Sequence, residues 1–148
     1  MRGSLNVKIM SFSFSQTSIL FVSGDERLLS TWQEFGQLLN FKEIACAQSG
    51  QAALHISRDN KFDIILTDEL SGMIDAYSLA AQIKAPENQS KNIHSPLILT
   101  APQSRNIDSR KISAHGFADL IISPFSADDL VTQRILPGHL VQLRHRQI

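Results

Sequence analysis

A carboxylate that closes an apolar run is the residue in this chain best placed to do chemistry. Ile64-Ile65-Leu66-Thr67 ends at Asp68 and is followed by Glu69-Leu70-Ser71-Gly72. Four apolar or β-branched residues in a row read as a strand buried on both faces, as in the centre of a parallel sheet, with Asp68 at its carboxyl end. In an open α/β sheet ligands bind at that edge, because loops converge there and helix N-termini point at it. A second carboxylate, Asp25, follows Ser23-Gly24 at the end of another apolar run, Ile19-Leu20-Phe21-Val22. It reads as the N-cap of the next helix, with a metal carboxylate as the alternative after a small backbone adjustment at Gly24. Asp75 also reads as a helix cap. The five histidines show no ligand spacing, which argues against metal catalysis, and Ser23-Gly24 alone is no phosphate loop. Cys46 lies in an apolar, strand-like stretch and reads as a core thiol in a reducing compartment.

The elements that must position these groups follow from hydrophobic periodicity. Ser18 to Val22 is a strand closed by a Ser-Gly-Asp turn. Glu26 to Asn40 carries Leu28, Leu29, Trp32, Phe35, Leu38 and Leu39 near helical spacing. Phe41 to Ala47 is a second strand, and Ser49 opens a short helix with Ala52, Ala53 and Ile56 inward. After the Phe62 to Thr67 strand, a helix is expected from about Asp75 to Lys84. Ala85 to Ser95 reads as a loop tolerant of length, and Pro96 to Thr100 as a fourth strand. A helix over about Ser104 to His115, stopped by Gly116, leads to a fifth strand, Asp119 to Ile122. Ser126 caps a last helix that Pro137-Gly138 should break. Alternating strands and helices predict an α/β, doubly wound, flavodoxin-like parallel sheet of order 2-1-3-4-5 with helices on both faces.

At 148 residues and 43% apolar content the chain fits one domain with a proper core. The expected limits are an N-terminal arm at 1–16, the domain at 17–136 and a basic extension at 137–148. Lys plus Arg and Asp plus Glu are equal at 14, so no global field favours nucleic acid or an anionic membrane. Arg134, Arg144, His145 and Arg146 form a small basic end that reads as solvated surface or a partner contact. No apolar run reaches the ~18 residues of a membrane span and no signal-peptide core precedes the first strand, so a cytoplasmic location is expected.

Over about Thr17 to Leu136 the chain resembles the receiver domain of two-component response regulators. The resemblance rests on landmarks in register: Ser49-Gly50-Gln51-Ala52-Ala53-Leu54, Phe62 to Asp68, Met73-Ile74-Asp75-Ala76, Pro96 to Ala101, and Gly116-Phe117-Ala118-Asp119 through Ser123-Pro124-Phe125. It implies a signalling module rather than an enzyme, with Asp68 at the phosphoacceptor position and Thr100 at the switch hydroxyl. Receiver chemistry also needs an acidic pair for Mg²⁺ and a lysine beside the phosphoryl group. Here Ser23 and Gly24 align with the two acids, and Ser123 stands at the lysine position. At about 4 Å and an effective dielectric near 20, the missing charge pair is worth on the order of 4 kcal/mol before desolvation. Leu120 stands where the family has its switch aromatic.

The resemblance therefore implies a degenerate, pseudo-receiver-like module acting mainly through protein–protein interaction. A histidine kinase or other signalling protein is the expected partner, with a homodimer through the face of the fourth helix, fifth strand and fifth helix as a further expectation. The alternative keeps Asp68 as an inefficient phosphoacceptor, with Mg²⁺ held weakly by Asp68 and Asp25 and assisted by Glu69. A small-ligand module using the same crevice is a third reading. Two readings of Asp68 stay open, phosphoacceptor or a carboxylate that only accepts backbone hydrogen bonds. Ser123-Pro124 is expected cis if it follows the family and trans if it is an ordinary strand exit.

Overall fold

Alternation along the strands decides which side chains face which layer. In β1 (Ser18–Val22), Ile19 and Phe21 join one apolar cluster while Leu20 and Val22 join another on the opposite face. β3 (Ile64–Thr67) divides the same way, with Ile64 and Leu66 on one side and Ile65 on the other. Strands buried on both faces need helices on both sides, and the chain supplies them.

The computed structural model describes residues 14–129. After β1 come α1 (Glu26–Leu38), β2 (Glu43–Ala47), α2 (Gly50–Asp59), β3, α3 (Ala76–Lys84), β4 (Leu97–Pro102), α4 (Ser109–Ala114), β5 (Asp119–Ser123) and α5, described over Ala127–Asp129. The five strands are parallel in the order β2-β1-β3-β4-β5, the flavodoxin-like order expected from the sequence. Trp32 and Leu29 of α1, with Ala127 of α5, cover one face. Ala53, Leu79, Ile83 and Ile112 from α2, α3 and α4 cover the other. None of the described helices is long and apolar enough to cross a membrane.

Helix starts follow the capping residues. Asp25 caps α1 by accepting from the Arg27 N–H at 2.9 Å, and Ser49 caps α2 by accepting from Ala52 at 3.0 Å. Asp75 caps α3 through the Ser78 N–H at 2.8 Å. At α5, Ser126 and Asp129 exchange side-chain-to-backbone bonds of 3.0 and 3.1 Å, a reciprocal capping box.

Three expectations are corrected. Phe14, expected in the arm, belongs to the core: it is buried, stacks on Phe41 with centroids 4.5 Å apart, and accepts the Thr17 and Lys42 N–H groups at its carbonyl, while residues 1–13 of the arm lie outside the described residues. The helix expected over Ser104 to His115 is divided. A 3₁₀ turn, Gln103–Arg105, ends at Asn106 in the left-handed region (φ 49°), and Asp108 caps a new start for α4. The third concerns the loop from Ala85 to Ser95, which is tied down. It holds a 3₁₀ turn, Pro86–Asn88, and the fully buried Asn92, whose side chain accepts from the Phe62 N–H at 2.7 Å and donates to the Ser57 and Asn60 carbonyls. Lys84 Nζ adds bonds to the Ile93 and Ser95 carbonyls. The expected break at Pro137-Gly138 and the extension at 137–148 lie outside the described residues.

Candidate functional site

The site grows from strand register. β1 and β3 pair Phe21 with Leu66 and Val22 with Thr67, so the next step sets Ser23 beside Asp68. The backbone carries the ladders one step further: the Asp68 N–H donates to the Val22 carbonyl and the Ser23 N–H to Ala47, each at 3.1 Å. The two side chains consequently meet. Ser23 Oγ donates to Asp68 Oδ2 at 2.5 Å and accepts from the Asp25 N–H at 3.0 Å. Ser23 is fully buried, whereas Asp68 is half-buried.

The second oxygen of Asp68 is also used. Oδ1 accepts from the Leu70 N–H at 2.9 Å, an Asx turn that supports Leu70 in the left-handed region at φ 60°. Burial pushes the Asp68 carboxyl above its usual range. The Ser23 and Leu70 hydrogen bonds pull it down, and the charges of Asp25 and Glu69 push it up again.

Around Asp68 lies an open cleft of about 740 Å³. The expected site residues Asp25, Thr100 and Ser123 line it with Asp68, so the fold brings all four to one sheet edge. Their states differ. Asp25 is committed to the cap of α1. Thr100 is 2% exposed and its Oγ1 has no hydrogen-bond partner. Ser123 is half-buried and precedes a cis Ser123-Pro124 peptide, the isomer that the family resemblance implies.

Two participants escaped sequence reading. Arg105, in the turn after β4, donates from Nε to Glu69 Oε1 at 2.8 Å, so the glutamate next to Asp68 is already paired. A signal existed, since Arg105 lies just past the end of a strand on the same edge, but a continuous helix from Ser104 hid it. Ser23 was legible only as a missing acid. That its hydroxyl bonds Asp68 Oδ2 depends on register.

Mg²⁺ prefers near-octahedral oxygen ligation. Here one half-buried carboxylate carries two internal hydrogen bonds, its neighbour Asp25 caps a helix, and Glu69 pairs with Arg105. Among the described residues no group of three His, Cys, Asp or Glu side chains is placed to hold a metal. The donor set leaves Mg²⁺ few uncommitted oxygens, chiefly those of Asp68. Cys46 is half-buried on β2, and burial pushes its thiol up, away from nucleophilic use.

Comparison with solved structures finds the same architecture in receiver domains. One is the receiver domain of a Pseudomonas aeruginosa PAO1 sensor histidine kinase with magnesium coordinated in its active-site cleft. It is 24% identical, with 82% of this chain and 95% of that chain covered, at a TM-score of 0.68. A response regulator receiver domain from Clostridium thermocellum is 16% identical over 89% of this chain and 99% of that one, at a TM-score of 0.71. A Francisella response regulator receiver domain is 21% identical over 87% and 98%, at a TM-score of 0.67. No protein-family model and no curated protein matches the chain. The fold is that of response regulator receiver domains.

Proposed function

We propose that this chain is a receiver-like module of two-component signalling that works mainly by binding another protein, with its phosphorylation site degenerate. The observation that carries the reading is that both Asp68 oxygens are engaged by internal hydrogen bonds with no lysine beside them. A nucleophilic carboxylate needs a free oxygen facing phosphorus and cations to neutralise the incoming phosphoryl group. Asp68 instead holds the Ser23 hydroxyl on one oxygen and the Leu70 N–H on the other, and Ser123 offers no charge. The partner is a histidine kinase or another signalling protein, and the face formed by α4, β5 and α5 is the docking surface, for that protein or a second copy.

A second reading is favoured by two observations. The charges of Asp25 and Glu69 both bear on Asp68, so three carboxylates share its surroundings, and a receiver domain of similar fold holds magnesium in its cleft. On that reading Asp68 is a slow phosphoacceptor for a histidine kinase or phosphotransfer domain.

Intact-mass measurement after incubation with Mg²⁺ and acetyl phosphate, beside Asp68→Ala, separates the two. The interaction reading expects no mass gain. An Mg²⁺-dependent gain of one phosphate that Asp68→Ala abolishes would overturn it. A positive control is available: a Cβ at Gly24 would meet only the Gln48 carbonyl, at 3.8 Å, so Gly24→Asp fits without a clash. Combined with Ser23→Asp and Ser123→Lys, it should restore Mg²⁺-dependent phosphorylation.

A further inference from the structure

We propose that the cleft above Asp68 receives a lysine or arginine side chain carried by the partner protein, an inference that rests on the interaction reading above and names the chemistry of that partner. The charge of the cleft is one-sided. Asp25, Glu26, Asp68 and Glu69 line it against Arg27 alone, and Ser123 contributes no cation. A cleft lined in this way draws in cationic groups and repels anions.

A second observation, independent of charge, also points to an occupant. Thr100 Oγ1 is buried at the cleft wall and has no hydrogen-bond partner. Buried hydroxyls are ordinarily paired, and this one can accept from an ammonium or guanidinium N–H. The walls suit the rest of such a side chain. Leu28 is 37% exposed, and with Trp32 it offers apolar surface along which a methylene stem can lie while its charged tip reaches Asp68. A bare divalent ion would need carboxylates free to converge on it, whereas Asp25 caps α1 and Glu69 pairs with Arg105. A phosphate would meet the charge of Asp68 with Arg27 as the one cation on the cleft wall.

The test uses the full-length, isotope-labelled chain without Mg²⁺. The probe is a capped leucine-arginine-leucine tripeptide, and its glutamate-centred counterpart is the control. Saturable amide shifts are expected at Gly24, Leu70 and Thr100 with the arginine peptide only. Asp68→Asn should weaken binding about tenfold, as loss of one partner of a half-buried charge pair does. Thr100→Val, which keeps the β-branched shape, should weaken it by about tenfold, as loss of one hydrogen bond to a charged group does. Retained amide dispersion in each variant excludes unfolding as the cause. Shifts confined to the α4 and β5 face, an equal response to the glutamate peptide, or unchanged affinity in both variants would overturn the cleft assignment while leaving the interaction reading intact. Phosphorylation of the unmodified chain, by contrast, would remove that reading itself.

Discussion

Replacing Ser23 by alanine tests the central contact directly. The substitution removes one hydroxyl from a fully buried position, leaving the Asp68 Oδ2 lone pairs and the Asp25 N–H without their partner. Hydrogen bonds to an ionised group contribute about 1.5–3 kcal/mol. Because Asp68 is only half-buried, water recovers part of this, and a loss of about 2 kcal/mol at neutral pH is expected. For a domain of this length that lowers Tm by about 7 °C. The pH dependence carries the sharper prediction. Burial has already raised the folded-state pKa of Asp68, and the Ser23 bond opposes that rise. In the window between the ordinary value of 3.8 and the raised one, the native state binds more protons than the unfolded chain. Stability therefore falls as pH climbs through that window, and the full penalty of a charged Asp68 is present above it. Ser23→Ala raises the folded pKa further and enlarges the penalty, so its effect should be greatest at neutral pH and shrink as pH drops toward 3.8. Denaturant titrations at both pH values, with the Asp68 carboxyl followed by carbon NMR, check both halves. A stability loss equal at the two pH values, or an Asp68 pKa that falls in the variant, would refute the assignment.

Gly50→Ala should destabilise by about 1–3 kcal/mol in denaturant unfolding, despite alanine's better helix propensity, as overpacking at a tight contact does. A Cβ there would lie 2.5 Å from Ile74 Cγ2 and 2.6 Å from the Ile74 carbonyl oxygen, and the backbone atom cannot swing aside. Asn92→Ala should cost about 3 kcal/mol or more, because it orphans the Phe62 N–H and the Ser57 and Asn60 carbonyls in a buried place. A calorimetric Tm close to the unsubstituted chain would show that the loop is not anchored there. Phe14→Ala should cost about 3–4 kcal/mol, a typical value for a buried aromatic, in the same denaturant assay. A chain truncated to begin at Thr17 should lose a similar amount.

Much of the fold was legible because it rests on local periodicity and end signals. The apolar runs ending at Val22 and Thr67, the caps at Asp25, Ser49 and Asp75, and the alternation of strands and helices each follow from spacing along the chain. Element order together with strand burial then leaves few sheet topologies, and the 2-1-3-4-5 order was among them. The misses came where a distant contact overrides a local pattern. Phe14 looks like part of a polar arm until Phe41 gives it a stacking partner, and Asn92 looks like loop filler until three distant backbone groups converge on it.

The same division runs through the site. The sequence and its family resemblance indicated which groups reach the carboxyl edge: Asp68, Thr100, Asp25 and Ser123. Only the tertiary structure decided what those groups do to one another. The β1–β3 register brings Ser23 to within 2.5 Å of Asp68, and the turn after β4 brings Arg105 to Glu69 across 36 positions of chain. Thr100 is left as a buried hydroxyl without a partner. The physical reason is that periodicity acts between near neighbours, whereas hydrogen bonds and charge pairing act through space.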